Sequence, residues 1–496
     1  MTSPKPARQR RSPLRRTILA CLALAIAGLA AGVAAGVYVI TEVGRAPRIW
    51  APYLERRAAE HDPLITGAAG LAARWLLAVD RLPAHAHLPW PRFAGANRRL
   101  LAPRLPAEAD PAHLRVVSTT AGLAHAFATA RPGDVIELMP GQYRVTGYGL
   151  HADRPGTARA PITVQALHLG DAVIESDTVQ AINVSAPYWH FINLDIHGVC
   201  TDDTGCEHAF HIVGGAQHIL LRNLRLVNFN AQIKINRQGG RFPDHGRIER
   251  VTLIDTHPRN TTNPVTPIDL DDASHWRITG SLIADFVKAN DQAAYGGYAK
   301  GDGSDNVFRR NVVLCAWRLR GFPGVRVGLS FGGGGTVPKL RRDYGRTPFE
   351  QHASTMADNL IAFCSDAGIY LNRAADSRIV HNTLLDTAGI DARFPETSAR
   401  IEDNIVDGPI HARHGALITA MQGNLFPPLL GLFVGYHPQR ALFADPARLD
   451  LRWRHGPPAL QPARPGHRDL CGTRRAALSP PGAFISFAAC LKPAPR

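Results

Sequence analysis

One short rung recurs along the middle of this chain: Asn or Ser, then two or three apolar residues, closing a run in which polar and apolar residues alternate. It stands at Asn193-Leu194, Asn223-Leu224, Ser281-Leu282-Ile283, Asn311-Val312-Val313, Asn359-Leu360-Ile361, Asn382-Thr383-Leu384, Asn404-Ile405-Val406 and Asn424-Leu425. Successive gaps are 30, 58, 30, 48, 23, 22 and 20 residues, which fits a coil of about 20 to 30 residues with a skipped or decorated coil where the gap nearly doubles. In residues 217–227 and 376–385 the alternation suits a strand with one buried face, and helical periodicity is absent. Gly, Asn, Asp and Pro bound each run and supply the turns. Stacked coils bury a continuous apolar column, and an Asn at one turn can stack on the Asn above it, so these Asn read as ladder-building.

A chain of 496 residues exceeds what one compact core organises, a limit a solenoid escapes because each repeat touches only its neighbours. The 45 Gly and 38 Pro suit turn-rich β architecture. The net charge of +15 is almost all arginine, since six of the 56 basic residues are Lys and 50 are Arg. Such a surface favours polyanions. With 7% aromatics and no zinc-finger, helix-turn-helix or RNA-recognition signature, acidic polysaccharide is the expected partner and nucleic acid is not.

Arg8, Arg10, Arg11, Arg15 and Arg16 precede an uncharged stretch from Thr17 to Ile40, 24 residues, long enough to cross a bilayer at 1.5 Å per residue. The expectation is a basic cytoplasmic tail (1–16), a transmembrane anchor (17–41), a helical and Pro-rich spacer (42–112), a β-solenoid (113–430) and a basic Pro-rich extension (431–496). The positive flank places the N-terminus in the cytoplasm and the solenoid in the periplasm or outside the cell; a cleaved signal peptide is the rival reading. Cys21 lies in the anchor, and the other six Cys fall in a disulfide-permissive compartment. Cys200 with Cys206 and Cys471 with Cys490 could close local loops, and Cys315 and Cys364 hold nearly equivalent rung positions. A short helix over residues 123–130 is expected to cap the open end of the solenoid.

The segments Arg131-Pro132-Gly133-Asp134-Val135-Ile136-Glu137-Leu138-Met139-Pro140-Gly141-Gln142-Tyr143 and Gly156-Thr157-Ala158-Arg159-Ala160-Pro161-Ile162-Thr163-Val164 resemble the first coils of right-handed parallel β-helix proteins, in particular the chondroitinase B and alginate lyase group within the pectate-lyase-like proteins. The resemblance spans about residues 115–425 and implies an all-β, right-handed parallel β-helix. It also implies cleavage of uronic-acid polysaccharides by β-elimination, with a calcium ion, a lysine base and an arginine. That reaction takes the proton beside a uronate carboxylate, so it needs a cation on that carboxylate and a base for the proton.

Residues Tyr298-Ala299-Lys300-Gly301-Asp302-Gly303-Ser304 resemble the family's lysine segment. Lys300 is therefore the candidate base, with Tyr298, Asp302 and Lys234 as substrate-binding candidates. Arg320 or Arg326, one coil on, would steady the carboxylate. Where the family places its acidic calcium ligands the chain has Asp291 alone, so Asp269 and Asp271, on one strand face a coil upstream, are the other candidate metal ligands. The run Gly332-Gly333-Gly334-Gly335 lacks a phosphate-loop ending and suits close backbone approach or a tight corner. His208 and His211, near Glu207, read as surface histidines. Two alternatives stand beside the lyase: a non-catalytic glycan-binding envelope protein, and a glycoside hydrolase using Asp269, Asp271 and Asp302.

Overall fold

A computed structural model describes residues 13–43, 47–59, 61–80, 85–102, 113–289, 292–333, 335–428, 431–432, 436–463 and 466–492. They form two units, divided near residue 80. The first holds the helix Pro13–Val43, whose stretch Thr17–Gly36 is long and apolar enough to cross a membrane, a test a signal sequence also passes. Two further helices, Pro47–Ala58 and Pro63–Val79, follow; Asp62 caps the second by accepting from the Leu64 amide.

The second unit is a parallel β-helix. Three sheets of 12, 10 and 10 strands run along it, and within each sheet successive members come from successive coils. We number them by first strand: sheet one from Leu114–Val117, sheet two from Gly141–Val145, sheet three from Leu150–Ala152. Each strand stays in register with its counterpart one coil on, as Ile233↔Ile268↔Gly297 shows in sheet three. Inward positions carry Ile, Leu, Val and Phe and are fully buried. The cap is the helix Thr120–Ala128, which buries Leu123, Ala126 and Phe127 and stacks Phe127 on Trp189 at 5.3 Å.

Polar side chains at the turn between sheets one and two form the ladder, but the rung is two different positions. From Ser281 onward the side chain lies inside the turn: Asn311 Nδ2 donates to Asn359 Oδ1 at 3.0 Å, Asn359 to Asn382 at 2.9 Å, Asn382 to Asn404 at 3.0 Å and Asn404 to Asn424 at 2.9 Å. Asn193 and Asn223 sit one residue earlier, in the left-handed conformation that Arg250, Arg310, Asp358, His381 and Asp403 occupy in other coils. Leu194, Leu224 and Val251, all buried, fill the inside position there. The 58-residue gap thus hides one ordinary coil whose inside residue is Val251.

The apolar triplets after each rung have a second cause. Leu282, Ala284, Val312, Leu314, Leu360 and Ala362 in sheet two point away from the coil core yet are buried, because other segments cover that sheet. Residues 85–102, expected as spacer, lie against it: Gly95 donates to the Gly280 carbonyl and Asn97 to Asn223 Oδ1. So does the C-terminal segment, expected as a loose extension or partial cap, through Phe443, Leu451, Phe484 and Phe487. A strand covered on both faces loses its alternation. All three expected cysteine pairings form disulfides: Cys200–Cys206, Cys315–Cys364 and Cys471–Cys490.

Candidate functional site

Sheet three keeps one face outward, and its strands alternate accordingly. In Ile233–Asn236 and Ile268–Asp271 the Ile and Leu turn into the core while Lys234, Asn236, Asp269 and Asp271 turn out. Parallel register then stacks His211, Lys234, Asp269, Tyr298, Ser330 and Tyr370 in one column over six coils, and sets Lys300 beside Asp271 in the next column.

Lys234 Nζ lies 2.8 Å from Asp269 and 3.4 Å from Asp271; burial alone would lower its pKa, but the two carboxylates raise it. Burial works to lift Asp269, yet the ammoniums of Lys234 and Lys300 hold it below the ordinary carboxylate range. The Tyr298 hydroxyl donates to Asp269, and burial together with Asp269 and Asp271 pushes it well above a normal phenol, so Tyr298 keeps its proton. Lys300 Nζ stands 3.7 Å from Asp271 and 4.5 Å from the centre of the Tyr298 ring. Tyr295, edge-on to Tyr298 at 5.7 Å, is pushed up to about 12 by burial.

Tyr295, Tyr298, Lys300, Lys288, Thr262 and Thr266 line a groove of about 230 Å³. Lys288 is held below the usual lysine range by burial, and its Nζ donates to the Thr262 carbonyl at 3.0 Å and to Gln292 at 2.8 Å. Gly333 and Gly335 lie against Lys300: a Cβ on Gly335 would lie 3.3 Å from Nζ, and one on Gly332, at φ +70°, would strike the Asn372 carbonyl at 1.8 Å. The rest of the 48-residue gap is pinned beside the groove. Thr336 donates to Asp271 at 2.9 Å, Arg342 forks onto Asp244 at 2.8 Å, and Arg341 pairs with the fully buried Glu350 at 2.6 Å.

The fold therefore brings together Lys234, Asp269, Asp271, Tyr298 and Lys300, and leaves others elsewhere. Arg326 is buried and donates to the Phe322 carbonyl and, through its backbone N–H, to Ser365. Arg320 lies over the rings of Trp317 and Phe363 and donates to the Ala447 carbonyl. Neither guanidinium reaches the groove, because one is consumed in closing a coil corner and the other in docking the C-terminal segment. Asp302 sits at the corner toward sheet one and accepts from Thr347 at 3.1 Å. Asp291 lies outside the described residues. His208 is not a surface residue: it is buried, its Nδ1 2.9 Å from the Ala231 carbonyl, whereas His211 is half-buried on the outward side of sheet three, and burial pulls each down to about 4.

Sequence reading missed Tyr295, Lys288, Ser330, Thr336 and Tyr370, and gave His211 no place in the site. The usable signal was scarcity: of the six lysines in an arginine-rich chain, two line the groove and a third, Lys234, pairs with the adjoining Asp269. As for calcium, the donor set does not fit a divalent ion. Asp269 is engaged by Lys234 and Tyr298, Asp271 by Lys234, Lys300 and Thr336, and the described residues hold no cluster of three His, Cys, Asp or Glu suited to a metal.

No family model matches the sequence, and no curated protein matches it. Among solved structures it is similar to a pectate lyase (14% identity over 73% of this chain and 90% of that one, TM-score 0.48). It is also similar to an alginate lyase from Paenibacillus sp. (15%, 64% and 96%, TM-score 0.37) and a rhamnogalacturonan lyase (12%, 62% and 81%, TM-score 0.44). At these values the likeness says nothing of chemistry. The parallel β-helix itself is established by the strand pairing.

Proposed function

We propose that the outward face of sheet three binds an acidic polysaccharide and cleaves it by β-elimination. The observation that carries this reading is a groove lined by Lys288, Lys300 and two tyrosines, with Lys234 paired to Asp269 behind Tyr298. Lys300, once it has given up its own proton, takes the proton from the carbon beside a uronate carboxylate. The electron pair left behind becomes a ring double bond as the glycosidic C–O bond breaks, and the departing oxygen takes a proton from water. Carboxylate neutralisation falls to the lysines, since Arg320 and Arg326 are committed elsewhere. Lys288 is the rival base, because burial already disfavours its charged form. The Thr17–Gly36 helix would hold the β-helix to a membrane, and three disulfides support a non-cytoplasmic compartment.

A non-catalytic glycan-binding role is the second reading, favoured by the mutual pairing of Lys234, Asp269 and Asp271. A hydrolase is less well supported. Asp272, the nearest carboxyl raised toward neutrality (to about 7, by burial and Asp271), has a buried Oδ1 without a partner. The test is ultraviolet absorbance of unsaturated products on alginate, chondroitin, dermatan, pectate and heparin-like chains. Lys300→Ala is expected to lower the rate by about 100-fold or more. Absorbance on none of these substrates refutes the lyase; loss in Lys288→Ala but not Lys300→Ala moves the base to Lys288.

A further inference from the structure

We infer that Lys234 is the resident cation of this site: its ammonium stands where a divalent ion would have to bridge Asp269 and Asp271, and the groove needs no metal. This concerns the site proposed above and shares the assumption that the face meets a uronate chain.

Asp269 and Asp271 are two residues apart on one strand, so both carboxylates leave the same face. Across the coil boundary register places Lys234 directly beside Asp269, and its Nζ reaches both, at 2.8 and 3.4 Å. Calcium demands six to eight oxygens at about 2.3–2.6 Å. Here the surrounding groups are donors: the Tyr298 hydroxyl aims its proton at Asp269, the Thr336 hydroxyl aims its own at Asp271, and Lys300 stands 3.7 Å from Asp271. Two ammoniums and two carboxylates already balance, so an added dication would meet repulsion and too few free lone pairs. Take the Lys234 ammonium away and Lys300 alone faces the two carboxylates, leaving one negative charge uncompensated. That arrangement calls in a cation.

The experiment uses the full chain and reads metal rather than turnover, so a failed lyase assay leaves it untouched. Wild-type protein is expected to show the same thermal midpoint in chelator and in millimolar calcium, and to carry no stoichiometric metal after dialysis. Lys234→Gln and Lys234→Ala are expected to melt lower in chelator and to rise by about 2 °C or more when calcium is added; Asp269→Asn placed on Lys234→Gln should abolish the rise. A calcium-dependent midpoint in the wild type overturns the inference, as does a folded Lys234→Gln that ignores calcium. Should neither lysine variant fold, the wild-type arm alone decides.

Discussion

Two columns of side chains run along successive stretches of the solenoid, meeting at the coil of Asn311 and Ser330, and solve opposite problems. The Asn311–Asn359–Asn382–Asn404–Asn424 column repeats one amide, because an amide both donates and accepts and so satisfies an identical copy above and below. The sheet-three column changes residue at each coil, from His211 through Lys234, Asp269 and Tyr298 to Ser330. Charged groups cannot stack on copies of themselves, so this column alternates cation, anion and hydroxyl. Repetition marks where the solenoid supports itself, and its failure marks where chemistry is placed.

That contrast can be broken by mutation. The largest structural loss should come from the corner where Cys315–Cys364 ties successive coils across 49 residues: Cys315→Ala with Cys364→Ala is expected to cost about 3 to 4 kcal/mol in denaturant unfolding. Next comes the ladder. Asn382→Ala strips the partners of Asn359 and Asn404 inside a buried turn and should cost about 2 to 3 kcal/mol. Tyr298→Phe removes only the hydroxyl and leaves Asp269 its lysine, an expected loss of about 1 kcal/mol; if it proves as costly as Asn382→Ala, the site column is structural after all.

The smallest effect is acid sensitivity. Burial pulls His190, His208 and His211 down to about 4 in the fold, whereas in the unfolded chain they take up protons near pH 6.5. Between pH 6.5 and 4 the unfolded state binds more protons, so acidification should lower the melting midpoint across that window. His211→Gln should soften the slope.

The repeat and the cysteine pairings were legible because each depends on local pattern plus a coil advance of about 20 to 30 residues. The Lys234, Asp269 and Asp271 positions were legible as outward residues of alternating strands. Their mutual contacts were not, since they depend on which residue of one coil lies opposite which residue of the next, and the Val251 coil carries no Asn to keep count. Arg320 and Arg326 show the same limit from the other side. Both lie one coil after Lys300 in sequence, yet a guanidinium's reach lets local carbonyls and rings claim it first.

By itself, the sequence determined that this chain winds into stacked β coils, because period-two alternation and a turn-forming rung leave an apolar face that only stacking can bury. Only the tertiary structure decided that sheet two would be roofed by residues 85–102 and by the C-terminal segment, while the outward face of sheet three stays open. A triplet such as Leu282-Ile283-Ala284 announces burial on both sides. Which distant segment supplies the second side is a matter of shape and contact, and the sequence encodes neither locally.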